Sequence, residues 1–318
     1  MSNIDFGRFT WIDMEKPTRD ELEKLAQVYP FHQLNIEDCF SNVQVSKIDS
    51  YPDHSFIILR FPFAGPNGND SSKQVKVDQL CVFIGQDFLV TVHNSPLELL
   101  GTLRQSYSKG DESTLHEMGR RSPGFLLHRI IDGMVDKLLS NMQYFERELA
   151  GVEDAVVDGR ADPRKNITSL RVTIATMTRL VIPLRRVIVD VTSDAKRFSD
   201  GEILAPYYSD VRDHIDKVLE ELDASKAAVE IYNDTVYVAG TEKSNKILGI
   251  LTILFTLTIP VTVLSSFYGM NIEIPGSVQS GPWTFWGPYT TVIIVIIESI
   301  VPAVIMILYF YHKKWTKV

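Results

Sequence analysis

The pattern of apolar and polar positions changes character along the chain. Over residues 8–120 it is mixed α/β. Thr18 and Glu21 suit a capping box ahead of an amphipathic helix over residues 21–29. Residues 56–63, 75–84 and 88–93 are rich in β-branched and aromatic side chains and read as strands. The stretch 64–72, AGPNGNDSS, reads as a hairpin loop between the first two. From about residue 125 the period becomes helical. Ile131, Val135, Leu138, Met142, Phe145, Leu149, Val152 and Val156 alternate by four and three. After a break at 159–163 the rule resumes through Ile167, Leu170, Ile174, Met177, Val181, Leu184 and Ile188. A turn near 201–206 leads to a third seam at Ile215, Val218, Leu222, Ser225, Val229, Tyr232, Val236 and Ala239. Gly240 shifts its phase without stopping it. The spacing predicts one helix from about Pro206 to Phe267, roughly 90 Å at 1.5 Å per residue.

The end of the chain is different again. Residues 247–267 contain no charged side chain, and ~20 apolar residues suffice for a helix to cross a bilayer core. A second run, 289–311, is interrupted by Glu298 and Pro302 and is also long enough to span. The segment between them, 268–288, is rich in Gly, Pro, Ser and Trp and has no Lys or Arg. Lys243 and Lys246 precede the first run, and His312, Lys313, Lys314 and Lys317 follow the second. Positive charge marks the cytoplasmic side, so both termini are expected in the cytosol and the loop outside. Trp283, Trp286, Tyr289 and Tyr309 fall where interfacial aromatics belong. The expected fold is thus an α+β membrane protein. It has a cytosolic α/β domain over 1–120, a long-helix stalk over 121–243 and a transmembrane domain over 244–318.

Composition narrows the function. The chain has 318 residues and a formal net charge of −8, which argues against nucleic acid as a partner. Its two cysteines, Cys39 and Cys81, form no CxxC pair and read as small buried hydrophobes. Residues 1–9 hold no apolar segment of a signal peptide. His32, Glu37, Asp38 and Cys39 fit no close-packed ligand set and read as part of an ordinary helix with a solvated acidic face. No phosphate-binding glycine loop, HExxH or nucleophile motif is present, so an enzyme is not expected.

Along the first span, Asn245, Leu248, Thr252, Phe255, Ile259, Thr262 and Ser266 recur with a 3.5-residue period, the signature of bundled helices. Four of the seven are polar. The stripe either lines a pore or packs helices through small hydroxyl residues. Two spans cannot enclose a water-filled path, so a pore requires several copies around an axis. Because the stripe has no carboxylate, it would meet an ion through its water shell. That suits magnesium, which dehydrates reluctantly. Leu248, Phe255 and Ile259 would be apolar constrictions able to close by dewetting.

Tyr268-Gly269-Met270-Asn271 lies at the outer end of the first of two C-terminal spans. This placement resembles the CorA family of magnesium and cobalt channels. Trp11-Ile12-Asp13 with Pro17-Thr18, then Ile36-Glu37-Asp38 through Gln44 and Lys47, and then 207–214 (YYSDVRDH) extend the likeness over the whole chain. The resemblance implies a homopentamer in the cell membrane that carries magnesium, with cobalt or nickel as further substrates. It implies that the first span lines the pore and that Gly269, Met270 and Asn271 form the selectivity filter. Asn271 would ring the mouth with amide oxygens around a hydrated cation, and Gly269 would let the backbone turn sharply. Asn245, Leu248, Leu251, Thr252, Ile259 and Thr262 match deeper pore positions. Asp210 matches a stalk carboxylate that holds a regulatory divalent ion between subunits, with Asp213 as companion and Asp78 offered as its counterpart.

The chain departs from the family pattern in three places. Glu273 is the only acid in the outer loop. Ile259 stands before Pro260 where a methionine is familiar. Glu298 lies within the second span, where an ionised acid costs roughly 2.5–3.5 kcal/mol. Zinc transport, with or without proton coupling, therefore stays open as an alternative, as does a membrane-anchored metal sensor that conducts nothing.

Overall fold

In the computed structural model, described residues are 2–41, 45–67, 70–109, 121–158, 162–199, 201–270, 287 and 289–312. The chain forms two compact units, Met1–Asp234 and Thr235–Val318.

The first unit is built on a six-stranded sheet in the order β1-β2-β6-β5-β4-β3. The strands are β1 Ser2–Asp5, β2 Thr10–Glu15, β3 Lys47–Ser50, β4 His54–Asn67, β5 Asp70–Gly85 and β6 Phe88–His93. Only β2 and β6 pair in parallel; every other neighbour is antiparallel. All six residues of β6 are buried, which explains why this segment reads as a continuous apolar run and not as an alternation.

Alternation along the other strands sorts side chains to two covered faces. On one face Ile12, Met14, Phe56, Ile58, Cys81, Phe83, Val90 and Val92 meet Leu22, Leu25, Ile36 and Cys39. The last four come from helices α1 (Arg19–Leu25) and α2 (Gln33–Phe40). Thr18 and Glu21 close the expected capping box on α1, with Thr18 N–H donating to Glu21 Oε2 at 2.7 Å. The helix stops at Leu25 instead of continuing to Tyr29. The Tyr29 ring lies 4.5 Å from Phe88, and the Phe31 ring stacks at 4.0 Å on Phe83. Covering the sheet wins over one more helical turn.

The opposite face carries Ile57, Leu59 and Phe61, all fully buried. Long helices α4 (Pro123–Asp158) and α5 (Arg164–Asp194) pack on β4 and β5 there. Helix α3 (Glu98–Lys109) packs on α4. Behind the sheet Asp13 is buried. It accepts the Thr91 hydroxyl at 2.6 Å and lies 3.3 Å from His93 Nε2 and 3.6 Å from Arg104. Trp11 Nε1 donates to Thr91 Oγ1 at 3.1 Å. Burial would lower the His93 pKa, but Asp13 and the Ser95 carbonyl outweigh it and raise it. The opening Trp11-Ile12-Asp13 is therefore a buried polar tie between sheet and helices.

The hairpin loop expected over 64–72 is largely strand. Ala64 pairs with Val75, Gly65 with Gln74 and Asn67 with Asp70. The register shifts between Gly65 and Asn67, around Pro66, which has no N–H to give a ladder. A bulge is where a strand can accommodate that loss.

Helix α6 runs unbroken from Ala205 to Tyr268, 64 residues. Its first part belongs to the sheet-bearing unit. There Tyr208 is fully buried and donates to the Gly124 carbonyl at 2.9 Å. Asp216 pairs with Arg185 of α5. Tyr232 donates to Glu153 of α4 at 3.0 Å. The second unit holds the rest of α6 and helix α7, Thr290–His312.

Candidate ion pathway and metal cluster

Every residue of the polar stripe lies on α6, and all but Asn245 fall within its apolar run. Asn245, Leu248, Leu251, Thr252, Phe255, Ile259, Thr262 and Ser266 are all exposed in the single chain. The apolar parts of α6 and α7 are largely exposed, with Ser299 and Phe310 of α7 buried. Ile247, Leu254, Val263, Ile300, Ile305 and Leu308 are each about half exposed or more. An apolar surface of this extent needs a lipid or protein cover.

Hydrogen bonding gives the stripe a direction. Thr252 donates its hydroxyl to the Leu248 carbonyl at 2.7 Å, and Thr262 donates to Thr258 at 2.9 Å. Off the stripe, Thr256 and Thr258 bond back in the same way. Each hydroxyl proton is committed to the helix, so these threonines offer only oxygen lone pairs to whatever faces them. Water around a cation points its protons outward and requires acceptors. Pro260, inside the helix, also removes the N–H that would reach the Thr256 carbonyl.

Helix α6 ends at the tetrad. Gly269 N–H donates to the Ser265 carbonyl at 2.9 Å, and Met270 N–H reaches Phe267 at 3.3 Å. Gly269 is not among the glycines with positive φ, so the sharp turn expected of it is not its reason for being glycine. A Cβ there would stand 3.0 Å from the Ser265 carbonyl oxygen, so a side chain requires the end of the helix to give by a few tenths of an ångström. Met270 is exposed. Asn271 and Glu273 lie outside the described residues.

On the stalk, Asp210 and Asp213 are both exposed. Asp213 lies 3.4 Å from Arg212. Asp78 is buried, with Lys76 at 3.2 Å, Lys137 at 3.9 Å and the Ser95 hydroxyl at 3.3 Å. It is thus neutralised within its own chain. His32 caps α2 through Nδ1, Asp38 pairs with Lys47 at 2.7 Å, and Cys39 and Cys81 are buried free thiols. The Cys39 thiol is pushed up by its contact with Cys81 and by burial.

The tertiary structure assembles a group that sequence reasoning missed. Asp132 and Asp136 of α4 and His214 of α6 bring ligand atoms within 4.8 Å of one another. His214 Nδ1 lies 3.2 Å from Asp136 Oδ1, yet it is a buried nitrogen with no completed hydrogen bond. Burial raises the Asp132 pKa; His128 and His214 oppose this, while Asp136 and Asp210 add to it. Asp210 therefore belongs to the same field of charge. An orphaned imidazole nitrogen beside two crowded carboxylates fits a divalent cation. One nitrogen and two oxygens suit cobalt, nickel or zinc better than the all-oxygen shell magnesium prefers. Asp132 and Asp136 are four residues apart on one helix, where like charges repel, and that spacing was the available signal.

A mixed sheet unit, a helix running unbroken into an apolar segment, a second apolar helix and a carboxylate–imidazole cluster together describe a two-span membrane transporter of divalent metal ions. The sequence profile of the CorA-like Mg2+ transporter proteins matches residues 6–314, and the chain belongs to that family. It is 24% identical to the cobalt/magnesium transport protein CorA of Thermotoga maritima over 311 residues, 96% of this chain and 83% of the relative. It is 20% identical to the zinc transport protein ZntB of Yersinia pseudotuberculosis over 241 residues, 76% of this chain and 70% of the relative. The solved structure of the CorA magnesium transporter of Methanocaldococcus jannaschii superposes with a TM-score of 0.73 at 20% identity, covering 97% of this chain and 92% of that one.

Proposed function

We propose that this chain is the subunit of a homopentameric channel for inward movement of magnesium, with cobalt or nickel as further substrates. The uncharged polar stripe on α6, whose Thr252 and Thr262 present only lone pairs, carries the reading. A path with no fixed charge, whose threonines present lone pairs, holds a hydrated cation by its water. It avoids the trap that a ring of carboxylates would set. Five copies of α6 around one axis would bury the stripe and leave α7 toward lipid. Both termini would lie in the cytoplasm, on the side of the lysines that flank the spans. Asn271 forms the outer filter with Gly269 and Met270, and Glu273 lies at the mouth. Leu248, Phe255 and Ile259 close the path when their rings dewet.

Cytosolic divalent cation regulates the pore through Asp210, Asp213 and the Asp132–Asp136–His214 cluster. Without metal the acids repel one another and push α4 and α6 apart; with metal they are drawn together. Asp210, His214 and the stripe all lie on the one helix α6.

Magnesium uptake into proteoliposomes tests this reading. Asn271→Ala should abolish selective uptake, and Asp210→Ala or His214→Ala should weaken inhibition by cation on the cytosolic side. Full uptake by Asn271→Ala would remove the filter assignment. A second reading, zinc transport, is favoured by the imidazole in the cluster. It predicts zinc flux that depends on a pH gradient, with no magnesium flux. If neither ion moves, the chain is a metal sensor.

A further inference from the structure

Glu298 is the one acidic or basic side chain in either apolar run: residues 247–267 and 289–311 hold no Lys, Arg, His or Asp and no other Glu. It stands on α7 eight residues after Thr290, about 12 Å along the helix axis, and so inside a hydrocarbon core of ~30 Å. It is exposed in the single chain. An acid at this depth is costly when ionised, and neither run offers a cation to pair with it. The ion pathway along α6 makes no use of it.

Hydrogen bonding decides which form of the acid fits. On α6, Thr252, Thr256, Thr258 and Thr262 each give the hydroxyl proton to a carbonyl of their own helix, at 2.6–3.0 Å. On α7, Ser299 gives its own to the Val295 carbonyl at 2.7 Å. Pro260 and Pro302 lie inside the two helices and remove the N–H groups that would serve the Thr256 and Glu298 carbonyls. All of these groups present lone pairs and have no proton left to donate. A carboxylate would meet them as one more acceptor, whereas a carboxylic acid brings an O–H. The surroundings match Glu298 with its proton on.

Depth and exposure single out an acceptor. Thr258 lies ten residues before the end of α6 at Tyr268, about 15 Å along the axis. The segment 269–289 joins that end to the start of α7, so Thr258 and Glu298 stand at similar depth. Thr258 is exposed, as Glu298 is, whereas Ser299 is buried and Thr256 and Pro260 are half-buried. Lipid tails give an acid nothing to donate to, so a second copy is the cover that satisfies both groups. We propose that Glu298 is a proton-carrying site inside the bilayer and that it donates to Thr258 of a second copy, tying α7 of one subunit to α6 of the next. The inference rests on the assembly proposed above and on both helices crossing the membrane, and not on which ion passes.

The proton site is tested by treating the full chain in proteoliposomes with dicyclohexylcarbodiimide, which is lipid-soluble, and reading adducts by peptide mass spectrometry. A carboxylic acid adds across this reagent: its proton passes to one nitrogen and its oxygen bonds the central carbon, with nothing lost and nothing oxidised. Wild type should carry the adduct on Glu298. A water-soluble carbodiimide should label exposed acids such as Glu37 and spare Glu298. No adduct from the lipid-soluble reagent, or labelling of Glu298 by the water-soluble one, overturns the proton site. The contact is read by native mass spectrometry as the fraction of oligomer that survives rising detergent. Glu298→Gln keeps a donor and should hold the oligomer as wild type does. Glu298→Leu and Thr258→Val should each dissociate roughly tenfold more readily, the scale of one hydrogen bond, and the double variant no more than either alone. Additive losses, or an oligomer indifferent to Glu298→Leu, overturn the contact and leave the assembly standing. A monomeric wild type overturns contact and assembly together, while the labelling still decides the proton site.

Discussion

Replacing Asp132 by asparagine separates two roles of the metal cluster that act in opposite directions. In the metal-free protein Asp132 is an acid held against its will: burial raises its pKa, and Asp136 and Asp210 add to the cost. Its folded pKa lies above the unfolded value of ~3.9, so stability is lost as pH rises through the folded value. Asp132→Asn removes that loss. A like-charge pair four residues apart on a helix costs roughly 0.2–0.5 kcal/mol, so the metal-free variant should melt about 0.4–2 °C higher, at about 2–4 °C per kcal/mol. With metal the sign reverses. At cobalt one hundredfold above the dissociation constant, wild type gains about 2.7 kcal/mol. Loss of one ligand that weakens binding tenfold leaves about 1.4 kcal/mol at the same cobalt concentration. The assay is thermal unfolding of the full chain with and without cobalt, at pH 6 and pH 8. The wild-type cobalt shift should exceed that of the variant at both pH values. A variant that keeps the full cobalt shift, or that melts lower than wild type without metal, would refute the assignment.

Three further outcomes are expected. Gly269→Ala places a methyl 3.0 Å from the Ser265 carbonyl. The helix end must give by a few tenths of an ångström to accept it, so uptake should fall on the order of tenfold, equivalent to ~1.4 kcal/mol, with the melting of the sheet-bearing unit unchanged; normal flux would show the helix end to be tolerant. Thr252→Val keeps the shape but removes the outward lone pairs, so flux should fall while Thr252→Ser restores it; equal flux in all three would argue against an acceptor role. Asp194 accepts Ser50 at 2.6 Å and Ser55 at 2.5 Å; burial opposes its charge, but the two hydroxyls and Arg197 hold its pKa down. Asp194→Asn should therefore cost about 1.5–3 kcal/mol near pH 7. A depressed carboxylate pKa contributes stability above its unfolded value and loses it as pH falls through the folded one. The gap in urea midpoints between variant and wild type should accordingly close as pH falls below the usual carboxylate range.

Much of this protein is legible along the chain because it rests on local periodicity. The capping box at Thr18 and Glu21, the three long seams and the two apolar runs each need only neighbours within a few turns to declare themselves. Helix α6 was readable almost to the residue, from Ala205 to Tyr268, because Gly240 only shifts the phase of its seam and an apolar run carries it on. Where packing against a distant surface competes with local preference, the reading shifts. Helix α1 ends early because Tyr29 and Phe31 join aromatic contacts over Phe83 and Phe88. The strands beside Pro66 run on because a bulge absorbs the missing donor. The tertiary structure alone decided which charges share a site. Asp132 and His214 are 82 positions apart and meet only because α4 and α6 pack side by side. Periodicity is a property of one element and survives in the sequence. Proximity of charges on different elements belongs to the packing between them, and a chain read in order shows only charges that recur along one helix, as Asp132 and Asp136 do.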